Sequence, residues 1–259
     1  MKQKPLILIT NDDGIHATGI VALVEVALQF GDVFVVAPDK PQSGMGHAIT
    51  INSTIRVHKS IAHSGAVAWS CSGTPVDCVK MAIIKLLPRK PDLCLSGINH
   101  GANHSINIIY SGTMSAAMEG AIEGIPSIGF SLLNYSIDAD FTAAKVYCSK
   151  VIAYTLEHGM ENGVCLNVNI PNLELDQLMG IKVCRQARGT WEEALDERKD
   201  PSGSSYYWLT GKFKSFEPEA EDTDVYALDK GFVSVVPSQF DMTAHQSLLK
   251  FEKLSSTNS

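Results

Sequence analysis

The chain has no Lys/Arg-rich run: 21 basic residues stand against 28 acidic ones over 259, a formal charge of −7. Duplex nucleic acid, which is held by clustered cations, is therefore a poor partner. No apolar run approaches the roughly 20 residues that a membrane-spanning helix needs. The first apolar stretch, at residues 6–10, is reached without a signal-peptide pattern. These features predict a soluble, cytoplasmic protein with no membrane partner. The six cysteines are scattered, contain no Cys-x-x-Cys pair, and include Cys94 and Cys165 inside apolar runs. Reduced, buried, structural thiols are expected. Also missing are Gly-x-x-x-x-Gly-Lys-[Ser/Thr] and Gly-x-Ser-x-Gly, which disfavours P-loop and hydrolase-elbow chemistry. Gly44-x-Gly46 lacks the third glycine of a dinucleotide fingerprint and follows the second strand rather than the first.

What is present is enough apolar residue for a large core, 45% against 19% charged, so disorder is not expected. Strand signals at 6–10, 32–37, 67–71, 92–96, 127–132 and 164–170 alternate with helical periodicity at 19–30, 74–87, 113–123 and 139–158. This order predicts an α/β fold with a Rossmann-like, doubly wound, mostly parallel sheet. Thr74 reads as an N-cap, Pro75 as the first helical residue and Asp77 as a first-turn acid. Residues 48–58 read as extended. After Pro171 the texture turns β-rich, with strands expected near 181–187, 205–210 and 232–236 and exposed loops or arms at 196–205 and 216–224. The expected division is a catalytic core over 1–175 and an extension over 176–259 that covers the site and mediates assembly. The Tyr206-Tyr207-Trp208 cluster predicts a homo-oligomer.

The sharpest local feature is Asn11-Asp12-Asp13-Gly14, directly after Leu6-Ile7-Leu8-Ile9-Thr10. Two adjacent carboxylates at the end of a buried strand are unfavourable unless a cation shares the site. The plainer reading, ordinary turn chemistry, stands beside it. The loops at 11–18, 38–47 and 97–111 each follow a predicted parallel strand and should meet on one sheet edge. They offer Asp12 and Asp13, then Ser43, then Asn99: an all-oxygen set suited to Mg²⁺, Mn²⁺ or Ca²⁺, with coordination positions left for water and substrate. Singly, Ser43 can shape a Gly-rich turn and Asn99 can hold an Asx turn. Tyr110-Ser111-Gly112-Thr113 precedes a helix, whose N-terminal amides suit a phosphate; simple capping is compatible with that role. His100 and His104 have a zinc-like spacing only if helical, and Gly101 and Asn103 argue for a loop. His47 beside Gly46 can serve merely to close the turn.

These residues together resemble the SurE (survival protein E) family. The resemblance rests on Ile9-Thr-Asn-Asp-Asp-Gly14, Ala37-Pro-Asp39 with Gln42-Ser43-Gly44, Ser96-Gly-Ile-Asn99 with Gly101-Ala-Asn103, and Tyr110-Ser-Gly-Thr113, and it runs almost the whole length. It implies a metal-dependent 5′-nucleotidase on a Rossmann-like core, with a swapped C-terminal element and dimers or tetramers. Its metal ligands carry over to Asp12, Asp13, Ser43 and Asn99, for one divalent cation per subunit. Nucleoside 5′-monophosphates are the implied substrates, with 3′-monophosphates and short polyphosphate beside them. Asp12 and Asp13 are the expected catalytic residues. Gly44, Asn103, Ser111, Gly112 and Thr113 are the expected substrate contacts. Thr18 departs from the family, where Pro is frequent. Two rival readings are a nucleotide-binding protein without turnover and, more distantly, a redox or transferase enzyme on the same core.

Overall fold

The computed structural model describes residues 4–256. Strand β1 (Leu6–Thr10) is buried along its length, which is why it reads as a continuous apolar run rather than an alternating one. Helix α1 (Thr18–Ala27) carries the chain back to β2 (Asp32–Pro38), which lies parallel to β1. Strand β3 (Val57–Ser60) is antiparallel to β4 (Val67–Cys71) at one edge. Then follow α2 (Pro75–Met81), β5 (Leu93–His100), α3 (Gly112–Ile122), β6 (Ser127–Leu132), α4 (Thr142–His158) and β7 (Val164–Ile170).

The main sheet has nine strands in the order β3-β4-β2-β1-β5-β6-β7-β11-β8, where β8 is Ile181–Val183 and β11 is Val233–Gln239. From β4 to β7 all pairings are parallel; β11 runs antiparallel to β7. Strand alternation sends Ile7, Ile9, Val33, Val35, Leu93 and Leu95 to one face, against α1 and α4. Leu8, Phe34, Val36 and Cys94 face the other side, against α2 and Ala116 of α3. Each large side chain sealed this way contributes about 1.5–3 kcal/mol of burial. The doubly wound arrangement expected from the alternating pattern is the one observed.

Helix α2 starts as its sequence predicts. Asp77 N–H donates to Thr74 Oγ1 at 3.1 Å and Thr74 N–H donates back to Asp77 Oδ2 at 2.9 Å, with Pro75 in the first turn. The α-helix ends at Met81, earlier than the expected residue 87. A wider turn over Ala82–Leu86 follows, in which Leu87 N–H reaches back to Ala82 O. Of the stretch expected to be extended at 48–58, only its end enters a strand, β3. Strand β5 runs on to His100 through a bulge between Ser96 and Asn99, so Asn99 and His100 lie at a strand end rather than in a loop.

The C-terminal part corrects two expectations. Strand β8 stops at Val183 because the chain turns toward α5 (Asp224–Asp229), where Arg185 N–H meets Asp222 O and Ala187 N–H meets Asp224 Oδ1. The 196–205 segment is exposed as expected, but it is the end of a paired hairpin rather than an irregular loop: β9 (Gly189–Lys199) and β10 (Ser205–Ser215) pair along their full lengths. Only the tip turns, organised by Asp200 Oδ1 accepting from Ser202 and Ser204 N–H groups. A short helix α6 (Leu248–Phe251) lies near the end. Among the described residues no helix is long and apolar enough to cross a membrane.

Candidate functional site

Strand β1 has β2 on one side and β5 on the other, with Thr10 opposite Ser96. The chain turns leaving all three strands therefore open on one edge, at the point where strand succession reverses direction. Doubly wound sheets hold ligands in that crevice.

The Asn11–Gly14 turn is shaped by its own residues. Asn11 Nδ2 donates to Gly14 O at 2.9 Å, and Gly14 adopts φ +101°, a conformation glycine reaches without strain. The turn delivers Asp12, 3% exposed, and the half-buried Asp13 side by side. Gln42 N–H donates to the Asp12 carbonyl oxygen at 2.7 Å, which ties the β2 loop to this turn. His100 N–H donates to Asp13 Oδ2 at 3.2 Å, which ties in the end of β5.

Helix α3 supplies the floor. Thr113 Oγ1 donates to Asp12 Oδ1 at 2.6 Å, and the Thr113 backbone N–H also faces that carboxylate. Ser111 caps the helix, accepting from Met114 N–H at 3.0 Å. Gly112 lies so close that a Cβ there would stand 2.8 Å from Asp12 Cβ and 2.9 Å from Oδ2. The helix N-terminus that sequence reading assigns to a phosphate is thus also the seat of Asp12.

Burial and, next, the charge of Asp13 push the Asp12 carboxyl up to about 6, against hydrogen bonds from Thr113 that favour ionisation. Burial likewise raises Asp13, opposed by the His100 N–H and ring. Two adjacent acids held in this way fit a divalent cation, which would remove their mutual repulsion and the desolvation cost together. Among the described residues no three His, Cys, Asp or Glu side chains gather into a metal-binding cluster. A cation here would thus rest on two carboxylates and neutral oxygens, a donor set for a hard ion.

Asn99 is 9% exposed and its Nδ2 donates to Gly101 O at 2.8 Å, which commits its donor and not its carbonyl oxygen. Ser43 and Gly44 sit on the exposed part of the β2 loop, and nothing lies within 4 Å of where a Gly44 Cβ would stand. Asn103 is built into a buried ladder. Its N–H donates to Asn169 Oδ1, its carbonyl oxygen accepts from Asn167 Nδ2, and its own Nδ2 donates to Ser131 Oγ at 2.8 Å. Asn167 and Asn169 escaped sequence reading, although polar residues two apart in the apolar run of β7 signal one polar face in a buried strand. His100 and His104 do not converge. The His100 ring is engaged by Thr18 Oγ1 and Ser136 O, whereas His104 packs edge-on against Phe213. Glu119, also unremarked in the sequence, is buried in α3 and joined to Lys80 and His47.

The model of the family described as Survival protein SurE matches residues 7–193 of this chain. A 5′-nucleotidase SurE of Flavobacterium psychrophilum is 58% identical over 246 residues, covering 95% of each chain. One of Christiangramia forsetii is 59% identical over 249 residues, covering 94% of each. The crystal structure of the SurE protein from Aquifex aeolicus superposes with a TM-score of 0.84 at 38% identity, over 97% of this chain and 100% of that one. With a matching model over most of its length and relatives well above half identical, the chain belongs to the SurE family.

Proposed function

We propose that this protein is a metal-dependent phosphomonoesterase, a 5′-nucleotidase that converts nucleoside 5′-monophosphates into nucleoside and inorganic phosphate. We extend its substrates to 3′-monophosphates and short polyphosphate. The observation that carries this reading is the buried Asp12, seated against the N-terminus of α3, with the half-buried Asp13 beside it. The relatives named 5′-nucleotidase SurE agree with it.

Asp12, Asp13, Ser43 and Asn99 would hold one Mg²⁺, Mn²⁺ or Ca²⁺ per subunit. When bound, such an ion supplies Lewis-acid polarisation of the phosphoryl group and a more acidic water. The chain's own residues do the remaining work. Asp12, locked by Thr113, fixes the geometry of the centre. Asp13, the less buried of the pair, orients the attacking water in line with the scissile P–O bond. The amides at Ser111, Gly112 and Gly44 receive the equatorial phosphate oxygens, where negative charge is spread in the transition state. Asn103, held rigid by Ser131, Asn167 and Asn169 just beyond the end of β5, is the further substrate contact in this reading.

In this reading the 1–175 portion carries the chemistry. The 176–259 portion covers the site and assembles a cytoplasmic homodimer or homotetramer through its exposed apolar side chains.

The test is phosphate release from 5′-AMP with Mn²⁺, with and without EDTA, in wild type and Asp12→Asn. Chelation should abolish release, and the variant should lose roughly 10³-fold in kcat while keeping its fold. Near-normal turnover by Asp12→Asn overturns the assignment.

A further inference from the structure

The loop that carries Ser43 is fastened at both ends. Upstream, Pro38 O accepts from Ile15 N–H at 2.9 Å, Asp39 N–H donates to Cys71 O at 2.8 Å and Gln42 N–H donates to Asp12 O. Downstream, Gly46 N–H donates to Tyr110 O at 3.2 Å and His47 Nε2 lies 2.9 Å from Glu119 Oε2. Between these anchors residues 43–45 are exposed. The position of the Ser43 oxygen is therefore set by where the two ends are held.

Glu119 is the unexpected anchor. It sits within α3 at 2% exposure, and a carboxylate so placed is costly unless paired. Its two oxygens are divided: Oε1 receives Lys80 Nζ from α2, and Oε2 receives His47. Were Glu119 only a strut between α2 and α3, Lys80 alone would balance its charge. The second oxygen instead reaches out of the helical layer to the β2 loop.

Glu119 follows Gly112 by seven residues, so it lies on nearly the same stripe of α3, about 10 Å further along the axis. Gly112 is pressed against Asp12. One rigid helix thus sets Asp12 with its first turn and the Ser43 loop with its third.

We propose that Glu119 and His47 are positioning residues that keep the Ser43 oxygen within reach of the cation held by Asp12 and Asp13. Neither touches metal or substrate. The proposal rests on the metal reading given above, and its test separates the two.

Mn²⁺ alone, without substrate, is titrated by calorimetry into wild type, His47→Ala, His47→Gln, Glu119→Gln and Asp12→Asn, with a melting curve for each. Groups that orient metal-binding residues typically carry 10- to 100-fold in affinity. His47→Ala should therefore raise the Mn²⁺ Kd roughly tenfold while its Tm stays near that of wild type. His47→Gln, whose amide N–H can reach the same carboxylate, should recover most of the affinity. At saturating Mn²⁺ the kcat of His47→Ala on 5′-AMP should return to the wild-type range. A wild-type Mn²⁺ Kd for His47→Ala, with binding lost in Asp12→Asn, overturns the positioning role and leaves the metal site standing. Wild-type affinity in Asp12→Asn overturns both. Glu119→Gln disturbs the buried partner of Lys80; should it fail to fold, the two His47 variants decide the matter alone.

Discussion

Thr113 Oγ1 stands 2.6 Å from Asp12 Oδ1, across 101 residues of chain, with both groups buried. This bond joins the first turn of α3 to the turn after β1, and it favours the ionised form of an acid that burial pushes the other way. Thr113→Val keeps the shape and removes the donor. We expect kcat/KM on 5′-AMP at saturating Mn²⁺ to fall by roughly 10- to 100-fold, with Thr113→Ser restoring most of it. Unchanged kinetics in Thr113→Val would show that the hydroxyl is only a helix-start preference.

Gly112→Ala probes the same contact from the backbone side. The added carbon would stand 2.8 Å from Asp12 Cβ and 2.9 Å from Oδ2, closer than real side chains approach. Replacing glycine by alanine in a helix returns at most about 1 kcal/mol, whereas forcing a methyl into a packed site costs about 1–3 kcal/mol. The net sign is destabilising, and Asp12 is what must move. Thermal unfolding should show a lowered Tm and titration a weakened Mn²⁺ affinity. A variant with wild-type values for both would mean that the helix shifts at no cost.

These contacts mark how far the sequence could be read. Strands β1, β2, β5, β6 and β7 are buried on both faces, so their apolar runs announce them. Three parallel strands in a row place their loops on one edge, which brings Asp12, Asp13 and Asn99 together by topology alone. Strand β9 gave no such signal. Thr190-Trp191-Glu192-Glu193-Ala194-Leu195-Asp196-Glu197 has no buried face to impose an alternation, and its partner β10 is equally exposed. The Glu119–His47 pair joins residues 72 apart on a helix and a loop. A lone glutamate in a helix resembles any solvent-facing one until the fold buries it.

Asp77 offers a test in stability and pH. Burial works to raise its pKa, but the Thr50 hydroxyl and N–H and the Thr74 N–H outweigh it and hold the carboxyl below its ordinary value. A depressed folded-state pKa contributes stability that is fully present above the unfolded value, about 3.9, and is lost as pH falls through the folded one. Asp77→Asn should cost about 2 kcal/mol at neutral pH, since these hydrogen bonds go to a charged group. Urea unfolding of both proteins between pH 7 and 2.5 should show a constant gap down to about pH 5, narrowing below. A gap that persists unchanged at the acid end would rule out the charge as its source.

The hairpin makes the case for assembly. Leu195 and Leu209 lie directly opposite each other in the β9–β10 ladder and are 65% and 68% exposed, with Tyr207 two residues along on the same face. The other face shows Trp208 at 58%. An isolated two-stranded ribbon is marginal in water, so a hairpin of eleven residue pairs with large apolar groups on both sides gains most from a second copy. Burying each leucine there would contribute about 1.5–3 kcal/mol, and a symmetric contact counts each twice. Light scattering at micromolar concentration should give a multiple of the chain mass for wild type and a smaller mass for Leu195→Glu/Leu209→Glu, without loss of the far-ultraviolet signal of the core. A monomeric wild type would remove the assembly argument. A charged double variant that keeps the full mass would place the interface away from this ribbon, leaving its exposed aromatics to be explained by contact with substrate or another chain.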